Sequence, residues 1–470
     1  MRQFEGSIPI YHQSLDFDAL CREFPPADRY ASDTHLWSPD RIHAEQNRRF
    51  IAQMDRAWEI PFYQSLWGEA GIERADIRGL EDIDRLPTFS VHDLREALAQ
   101  TPPWGSLVGL DPLVDAPLPL VFQTSGGTTG LPRPMLYSPR DREVMNILMG
   151  RRFYLQGVRP FDLVLVSLAL GLTNAGLLAR EGLWKYTGAV PIMAGTGAQT
   201  PTRRQIELIR GWNVQVICGS PAYYRYMANV AQSEMDFDVR ESSVKKIITW
   251  LGGESREELE SLWNADVYDG YGTNELGTVA AECAEKSGLH VFEDAFHVEI
   301  LDRQSGTPAA SGEPGVLHVT TLFKHLAPMI RFNTNDMFSF HAGDCNCGCK
   351  GKRLTGMAGR ADNMIKLRGI SVFPEAIGEL LKAMGDTNGE FVCIVERSAT
   401  GQDEMQVLFE STASEDAREL HAVHAAERLR EGVGLKVQAT AQPVGSLASI
   451  TRIDTSTKVV RLVDKRKQDK

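Results

Sequence analysis

The first part of the chain has a hydrophobic pattern with a helical period. Between residues 35 and 95 the sequence is mostly polar, and apolar residues recur at spacings of one, three and four, as at Phe50, Ile51 and Met54. This spacing places the apolar side chains on one face of a helix. The pattern therefore predicts a helical lead-in to the protein.

After Pro119 the pattern changes to short apolar runs, each followed by a turn. The runs are LVFQTSGG, FDLVLVSLAL, VQVICGSP and VKKIITWLGG, and each one predicts a buried strand. Helical segments such as TRRQIELIRGW alternate with them, which predicts an α/β sheet with parallel connections. We therefore expect functional residues at the carboxyl ends of these strands.

The last third of the sequence predicts two further structural regions. From about Gly288 to Phe340 the runs HVFEDAFHVEIL, GVLHVTTLF and MIRFNTNDMFSF predict a β-rich lobe of antiparallel strands. After GMAGRADN, a strand-helix-strand-strand-helix-strand pattern predicts a small α+β domain. The predicted fold class is α/β, with mixed α/β sheets and the β-rich lobe in a large N-terminal domain (1–358) and a small, mobile C-terminal domain (359–470).

Composition narrows the class of protein. A chain of 470 residues is long enough for two or more packed units, and its 43% apolar and 24% charged residues are typical of a globular protein. The formal charge of -12 argues against nucleic acid or an anionic membrane as a partner. The N-terminus resembles no signal peptide, and the apolar stretch around Leu163–Leu172 is shorter than the roughly 20 residues of a membrane span. We expect a cytoplasmic protein and leave its oligomeric state open, a homodimer included.

A loop of small residues follows the apolar run PLVFQ. Its residues are Thr124, Ser125, Gly126, Gly127, Thr128, Thr129 and Gly130. Glycine lets backbone N–H groups turn toward an anion, and the hydroxyl groups add donors, so this composition suits a triphosphate. A solvated surface loop has the same composition, and the loop by itself does not separate the two interpretations.

Two further motifs carry groups that suit a nucleotide. The segment DGYGTNELG presents Tyr271, Thr273 and Glu275, which offer a stacking ring, a hydroxyl and a carboxylate for adenine, phosphate and Mg²⁺. In RFNTND, the carboxylate of Asp336 has two oxygens that suit the two hydroxyls of a ribose. Each motif taken alone is also typical of an ordinary turn.

The C-terminal region contributes two charged motifs. GRADNMIKLRG contains Arg360, which suits a phosphate or ribose, and Asp362, a candidate pivot. STKVVRLVDKR contains Lys458 beyond the final predicted strand of the last domain. A lysine near a C-terminus is usually a solvated charge, so this residue means little by itself.

The order of these motifs resembles the adenylate-forming superfamily, which comprises acyl-CoA synthetases and adenylation domains. Within it, the sequence is most similar to the phenylacetate-CoA ligase family, through WEIPFYQSLWGEAGIERADIRGLEDIDRLPTFSVHDLRE, GAVPIMAG, VICGSPAYY, GLHVFEDAFHVEILD and RGISVFPEAIGELL. The resemblance runs from about Trp58 to the C-terminus. The chain departs from the family pattern in its extra glycine at Gly126-Gly127 and in Asn335, where glycine usually precedes the ribose aspartate.

The resemblance implies a role for each matching residue. Catalytic roles fall to Lys458, Glu275 and Thr128, with Glu275 as the Mg²⁺ ligand and Lys458 bridging the carboxylate and the α-phosphate. ATP would contact Thr124, Ser125, Gly126, Gly127, Thr128, Thr129, Gly130, Gly252, Gly253, Glu254, Tyr271, Gly272, Thr273, Asp336 and Arg360, and Asp362 would be the hinge. The implied reaction is ATP-dependent ligation of a carboxylic acid, aryl or arylacetic, to CoA through an acyl-adenylate. A carrier-protein phosphopantetheine thiol or an amine is the alternative acceptor, and a catalytically silent nucleotide-binding protein is the non-enzymatic alternative.

The seven cysteines do not have the dispersed spacing of a disulfide framework. CNCGCK and AECAEKSGLH bring Cys283, His290, Cys345 and Cys347 into two short segments, with Cys349 as a spare ligand. Four such ligands suit a closed, structural zinc site. Some members of the family that this sequence resembles carry such a site. Reduced cysteines in a surface loop are the alternative interpretation.

Overall fold

The structure is a computed structural model. It describes residues 8–108, 118–124, 133–252, 254–361, 365–367, 370–372, 374–397, 403–433, 437–455 and 459–467. No helix in these ranges is both long enough and apolar enough to cross a membrane.

Among the described residues, the first five α-helices precede any strand, and the helices between residues 139 and 263 alternate with strands. The α-helices are α1 (Phe17–Glu23), α2 (Ala27–Ser32), α3 (Pro39–Ala57), α4 (Pro61–Glu69), α5 (Val91–Gln100), α6 (Pro139–Leu155), α7 (Ala175–Tyr186), α8 (Thr202–Gly211), α9 (Pro221–Met235), α10 (Arg256–Trp263), α11 (Pro374–Lys382), α12 (Arg418–Val433) and α13 (Ala448–Thr451).

The strands are short in the middle of the chain and longer toward its end. They are β1 (Val121–Thr124), β2 (Pro134–Tyr137), β3 (Leu163–Val166), β4 (Val190–Met193), β5 (Val216–Cys218), β6 (Lys246–Ile248), β7 (Asp266–Tyr268), β8 (Gly270–Thr273), β9 (Gly277–Ala281), β10 (Leu289–Val291), β11 (Phe296–Leu301), β12 (Gly315–Thr321), β13 (Phe332–Phe338), β14 (Arg353–Leu354), β15 (Gly359–Arg360), β16 (Ile365–Leu367), β17 (Ile370–Val372), β18 (Thr387–Arg397), β19 (Asp403–Ser411), β20 (Gln438–Pro443) and β21 (Leu462–Asp464).

The chain forms two compact units, and each unit is assembled from three stretches of sequence. The first unit contains residues 1–162, 170–191 and 269–355, and the second contains residues 163–169, 192–268 and 356–470. The units therefore interleave along the sequence. The division into domains 1–358 and 359–470 stays a prediction.

The first unit holds the antiparallel strands of the predicted β-rich lobe. In one sheet β14, β10, β9 and β8 are neighbours in that order, and in another β12 pairs antiparallel with both β11 and β13. The alternating burial along β13 matches its alternating sequence, because one face of the strand packs inward. The antiparallel prediction for residues 288–340 is confirmed.

Helix α6 lies at the centre of the first unit and is buried along almost its whole length. Ser138 caps its N-terminus by accepting a hydrogen bond from the N–H of Asp141, and Pro139 occupies the first turn. The buried guanidinium of Arg151 donates two hydrogen bonds, of 2.8 and 2.9 Å, to the carboxylate of Asp294. Since the helix has no solvent face, its sequence lacks an amphipathic period.

The second unit contains a sheet in which β3, β5, β6 and β7 are neighbours in that order and are parallel. Helices α8, α9 and α10 pack on it through a core that includes Ile209, Ile217, Met227 and Trp263. The predicted parallel α/β arrangement is confirmed for these strands. The prediction is wrong for LVFQTSGG, because β1 pairs antiparallel with β2 in a separate hairpin.

The C-terminal part of the second unit has a sheet ordered β20-β19-β18-β21, and helices α11 and α12 share its apolar core. The predicted α+β pattern is confirmed here. The structure adds β21, which pairs parallel with β18, and splits IKLRGISVF into the β16–β17 hairpin.

Candidate active site

The DGYGTNELG motif folds as a tight hairpin in the first unit. Strands β8 and β9 pair antiparallel, with Gly272 opposite Thr278 and Thr273 opposite Gly277, so that residues 274–276 form the turn. A side chain at position 272 would meet the main-chain carbonyl of Gly277, so only glycine fits this close approach. The hairpin places Glu275 at the tip of the turn.

Tyr271 and Asp336 are in direct contact, although 65 residues separate them in the sequence. The hydroxyl of Tyr271 donates a hydrogen bond of 2.7 Å to Oδ2 of Asp336, and both side chains are buried. The ring of Phe338 lies edge-on to Tyr271, with 4.7 Å between the ring centroids. The sequence indicated both polar residues, and the structure brings them together at the sheet.

Asn335, which precedes this aspartate, explains one departure from the family pattern. Its φ is 60°, in the left-handed region that favours glycine. Asparagine tolerates this conformation better than most residues, and the side chain of Asn333 accepts a hydrogen bond of 2.8 Å from its N–H. The strand therefore keeps the backbone path that a glycine would give.

Glu275 forms a buried ion pair with Arg133. The two side chains are 10% and 9% exposed, and Nη2 of the arginine donates to Oε1 of the glutamate. Arg133 directly precedes β2 and follows the hydroxyl-rich loop, whose residues Ser125, Gly126, Gly127, Thr128, Thr129 and Gly130 lie outside the described residues. Thr124 ends β1 and donates its N–H to the carbonyl of Leu172 at 2.7 Å.

The motif reasoning missed one buried cation beside this pair. Lys324 is 2% exposed, and its Nζ donates a hydrogen bond of 3.0 Å to the main-chain carbonyl of Glu275. Burial lowers the pKa of Lys324 to about 8. The signal in the sequence was a lysine inside the apolar stretch TTLFKHLAPMI, because a charged residue flanked by apolar runs indicates a buried, partnered charge.

A cavity of about 40 Å³ adjoins these groups. Arg133, Glu275 and Lys324 form its charged side, and the rest of the lining is largely apolar, from Leu94, Ala97, Leu98, Trp104, Leu107, Val108, Met135, Leu136 and Met329. Such a volume has room for water molecules next to the charged groups. The carboxylate of Glu275 is therefore buried yet borders free space.

Glu254 lies in a different environment, within the second unit. It pairs with Arg225, with Lys382 at 3.0 Å and with Arg461 at 3.4 Å. Burial works to raise the pKa of Glu254, but the three cations outweigh it and hold the pKa at about 2. The carboxylate therefore stays charged far below neutral pH.

The remaining predicted nucleotide residues are only partly described. Gly252 has φ of 58°, in the left-handed region, and Arg360 ends β15 half-buried. Gly253, Asp362 and Lys458 lie outside the described residues. Their roles stay predictions.

The structure gathers the four predicted zinc ligands in the first unit. The ligand atoms of Cys283, His290, Cys345 and Cys347 all lie within 4.8 Å of one another. The Sγ atoms of Cys283 and Cys345 are 3.7 Å apart, and Sγ of Cys347 is 3.5 Å from Nε2 of His290. Three sulfur atoms and one imidazole are the donor set of a structural zinc site.

Burial shapes the chemistry of this cluster. It raises the pKa of the Cys283 thiol and that of Cys349, the latter to about 12, and it lowers the pKa of His290 to about 3. Neutral imidazole is the form that ligates a metal, whereas buried thiols need a bound cation to become thiolates. The donor set therefore fits a divalent cation.

His35 is an addition that the sequence did not indicate. Its Nε2 lies 3.4 Å from Sγ of Cys347, and His35, His290 and Cys349 form a second group of convergent ligand atoms. His35 precedes the cysteine motif by more than 300 residues, so only the fold brings it here. Cys349, the spare ligand, lies on this side of the cluster.

The α/β fold, the polar hairpin with its buried glutamate and the tyrosine–aspartate pair fit a nucleotide-binding enzyme of the adenylate-forming class. The chain belongs to the AMP-binding enzyme family, whose model matches residues 81–323, and the AMP-binding enzyme C-terminal domain matches residues 369–466.

Similar proteins agree with this assignment. The chain is 28% identical to the phenylacetate-coenzyme A ligase of Thermus thermophilus, over 88% of this chain and 96% of that one. It is 29% identical to the phenylacetate-coenzyme A ligase of Escherichia coli, over 73% and 76% of the two chains. The resemblance indicated by the motifs is confirmed.

The fold is also that of a solved ligase. The chain superimposes on 2-hydroxyisobutyryl-CoA ligase in its postadenylation state with a TM-score of 0.80, at 24% identity, covering 95% of this chain and 92% of that one. The same ligase in its thioesterification state gives a TM-score of 0.66. The predicted α/β fold class is confirmed.

Proposed function

We propose that the protein joins a carboxylic acid to CoA through an acyl-adenylate, using ATP and releasing AMP and pyrophosphate. The observation that carries the proposal is the likeness to phenylacetate-CoA ligases over nearly the whole chain. The phenylacetate in the name of these relatives makes aryl and arylacetic acids the first candidate substrates. The buried polar groups of the β8–β9 hairpin support the same reaction.

The nucleotide contacts in this proposal follow the motifs. Asp336 binds the ribose hydroxyls and Tyr271 flanks the adenine, since the hydrogen bond between them fixes both side chains. Glycine, serine and threonine groups of residues 124–130 surround the phosphates, with Thr128 as the catalytic member. The remaining contacts are Gly252, Gly253, Glu254, Gly272, Thr273 and Arg360.

Glu275 is the residue that would hold Mg²⁺. Its carboxylate is a hard oxygen ligand and borders the cavity, beside its partner Arg133. When bound, the ion supplies positive charge at the phosphates, where negative charge builds up during the attack. Lys458 supplies a second positive charge between the carboxylate and the α-phosphate.

The chemistry needs no general base, because a carboxylate is already ionised near neutral pH. The thioester step then requires a thiol where Lys458 stood, so residues 359–470 would turn about Asp362 between the two steps. CoA is the proposed thiol. A carrier-protein thiol or an amine is the alternative acceptor, and the test below separates them.

We further propose that the cluster of Cys283, His290, Cys345 and Cys347 holds a structural zinc ion. The convergence of the four ligand atoms supports this proposal. Purified protein should contain about one zinc per chain, and C345S should lose it, whereas C21S should keep it because Cys21 lies outside the cluster. Metal analysis that finds far less than one zinc in the wild type would contradict the proposal.

The reaction is tested by release of AMP and pyrophosphate from ATP across benzoic, arylacetic, cinnamic and short aliphatic acids, with and without CoA. AMP formation that needs both one acid class and CoA supports the ligase. Pyrophosphate exchange that ignores CoA supports a carrier protein or an amine instead. Silence across the whole panel would favour a nucleotide-binding protein without this activity.

The role of Lys458 has its own test. Lys458→Ala should suppress adenylation and leave the formation of thioester from supplied acyl-AMP largely intact, because the lysine acts only in the first step. Equal loss in both steps would refute the assignment.

A further inference from the structure

Two consecutive main-chain carbonyls at the tip of the β8–β9 hairpin each accept a hydrogen bond from a buried side chain. The hydroxyl of Tyr137 donates a hydrogen bond of 2.7 Å to the carbonyl of Asn274. Nζ of Lys324 donates one of 3.0 Å to the carbonyl of Glu275. Nζ also lies 5.3 Å from the centroid of the Tyr137 ring, so the two donors contact each other as cation and ring.

The residue that anchors this arrangement is Asp141. It is fully buried in the first turn of α6, and its two carboxylate oxygens accept hydrogen bonds from the N–H groups of His325 and Leu326, at 2.7 and 3.0 Å. These bonds fix the main chain next to Lys324 against a helix that is itself packed on every side. The ammonium therefore projects from a rigid support.

Burying an ammonium group is costly unless its hydrogen bonds and charge are satisfied. A side chain needed only for packing would be cheaper as methionine or leucine, so the charge of Lys324 needs a purpose beyond filling space. Its hydrogen bond goes to the backbone of Glu275, whereas Arg133 pairs with the carboxylate. Lys324 thus holds the main chain of Glu275 in position, and Arg133 balances the charge of the Glu275 carboxylate.

We infer that Lys324 is a positioning residue for adenylation, which grips the Glu275 carbonyl and thereby aims the Glu275 carboxylate at the bound Mg²⁺. The inference rests on the proposed role of Glu275. Groups that orient a metal ligand without touching the metal commonly change metal affinity or activity by about 10- to 100-fold when they are removed. Lys324 has the geometry of such a group.

The experiment measures acid-dependent exchange of pyrophosphate into ATP while Mg²⁺ is varied. K324M should raise the Mg²⁺ concentration for half-maximal exchange about tenfold or more and leave the KM for the acid nearly unchanged. K324R keeps the charge and should recover most of the loss. The control is K352M, at an exposed lysine that also donates to a main-chain carbonyl, that of Val298 at 3.4 Å, and also lies by a ring, that of Phe340.

K324M with wild-type Mg²⁺ dependence would overturn the inference. So would a K324R variant that behaves like K324M while folding as stably as the wild type.

Failure of the proposed function gives a different result, since the wild type would then show no exchange with any acid. In that case the readout is the rise in melting temperature caused by ATP with Mg²⁺, compared with ATP alone. A smaller Mg²⁺-dependent rise in K324M than in K352M supports the positioning role without any turnover. Equal rises in the two variants would contradict it. If K324M does not fold, Y137F tests the neighbouring grip on Asn274, with the same outcomes expected at a smaller size.

Discussion

Two glutamates, the buried Glu275 of the first unit and the half-buried Glu254 of the second, show how one residue type can serve two different tasks. Among the described residues, the carboxylate of Glu275 has one arginine, Arg133, and borders a cavity. Glu254 has three cations, Arg225, Lys382 and Arg461. A carboxylate balanced by one cation and facing free space can still take a metal ion, whereas one surrounded by three is better suited to holding chain segments together.

The origin of the cations sharpens this contrast. Lys382 ends α11 and Arg461 precedes β21, so both come from the C-terminal part of the second unit, far in sequence from Glu254. Arg461 also pairs with the buried Glu390, which extends the network. Near Glu275 the second cation, Lys324, contacts the backbone instead of the carboxylate. The two environments therefore differ in the number of cations that pair with the carboxylate, which is one for Glu275 and three for Glu254 among the described residues.

The largest expected effect is that of Glu275→Gln. We expect adenylation to fall by about 100- to 1,000-fold, because the amide keeps the shape and loses the charge that would bind Mg²⁺. Pyrophosphate exchange measures it. The control is Glu299→Gln, which breaks another buried pair in the same unit, with Arg331 at 2.7 Å, and should lower stability without a comparable loss of exchange. Similar losses of exchange in both variants would show that Glu275 acts only through folding.

Glu254→Gln should act mainly on stability. Removing the charge leaves three cations close together, so we expect the free energy of unfolding to fall by about 3 kcal/mol and adenylation to fall less than tenfold. Urea denaturation at pH 7 measures the first, with Glu396→Gln as a surface control because its pair with Lys465 is exposed. A variant as stable as the wild type would contradict the anchoring role.

The stability difference between the wild type and Glu254→Gln should depend on pH, in a direction set by the pKa of Glu254. The pKa of Glu254 is about 2 in the folded protein, below its ordinary value of 4.5. Its contribution to stability is therefore complete above about pH 4.5 and is lost as the pH falls toward 2. The stability difference between the wild type and Glu254→Gln should shrink between pH 5.5 and pH 3, measured by urea denaturation at each pH. A constant difference across that range would contradict the assigned pKa shift.

The smallest effect is expected from Tyr271→Phe. The lost hydrogen bond to Asp336 contributes about 1 kcal/mol to holding this carboxylate in place for the ribose. Its loss corresponds to a rise of roughly fivefold in the KM for ATP. Steady-state kinetics measures it. Tyr63→Phe removes a similar buried bond, to the carbonyl of Pro328 at 2.7 Å, and should leave the KM for ATP unchanged. An unchanged KM in Tyr271→Phe would show that Asp336 needs no help in orientation.

The sequence predicted the strands whose apolar residues either alternate with polar ones or form a short continuous run. Strand β13 alternates between buried and half-buried residues, β11 does so over most of its length, and β5 and β6 are short apolar runs, so the types of these strands followed from the pattern. The pattern failed for β1, because an apolar run does not reveal whether its partner is parallel or antiparallel. It was also silent about α6, which is buried around its whole circumference and has no polar stripe.

The candidate site was predictable where a motif carries it. Tyr271, Glu275 and Asp336 stand in recognisable segments, and the four zinc ligands lie in two cysteine-containing segments. Lys324 and His35 were not found, because only the fold brings their partners next to them. The apolar residues around Lys324 indicate burial, but they do not identify Glu275 as its partner.

The interleaving of the two units has a consequence for synthesis on the ribosome. Neither unit corresponds to one continuous stretch, since the first needs residues 269–355 and the second begins at residue 163 and needs residues from 356 onward. The protein therefore cannot complete one unit before synthesis of the other begins, as a chain of continuous domains can. Strands β3, β5, β6 and β7 of the second unit are made before the first unit can be completed. A ribosome that stops short of Thr355 carries a nascent chain in which both units are begun and neither is whole.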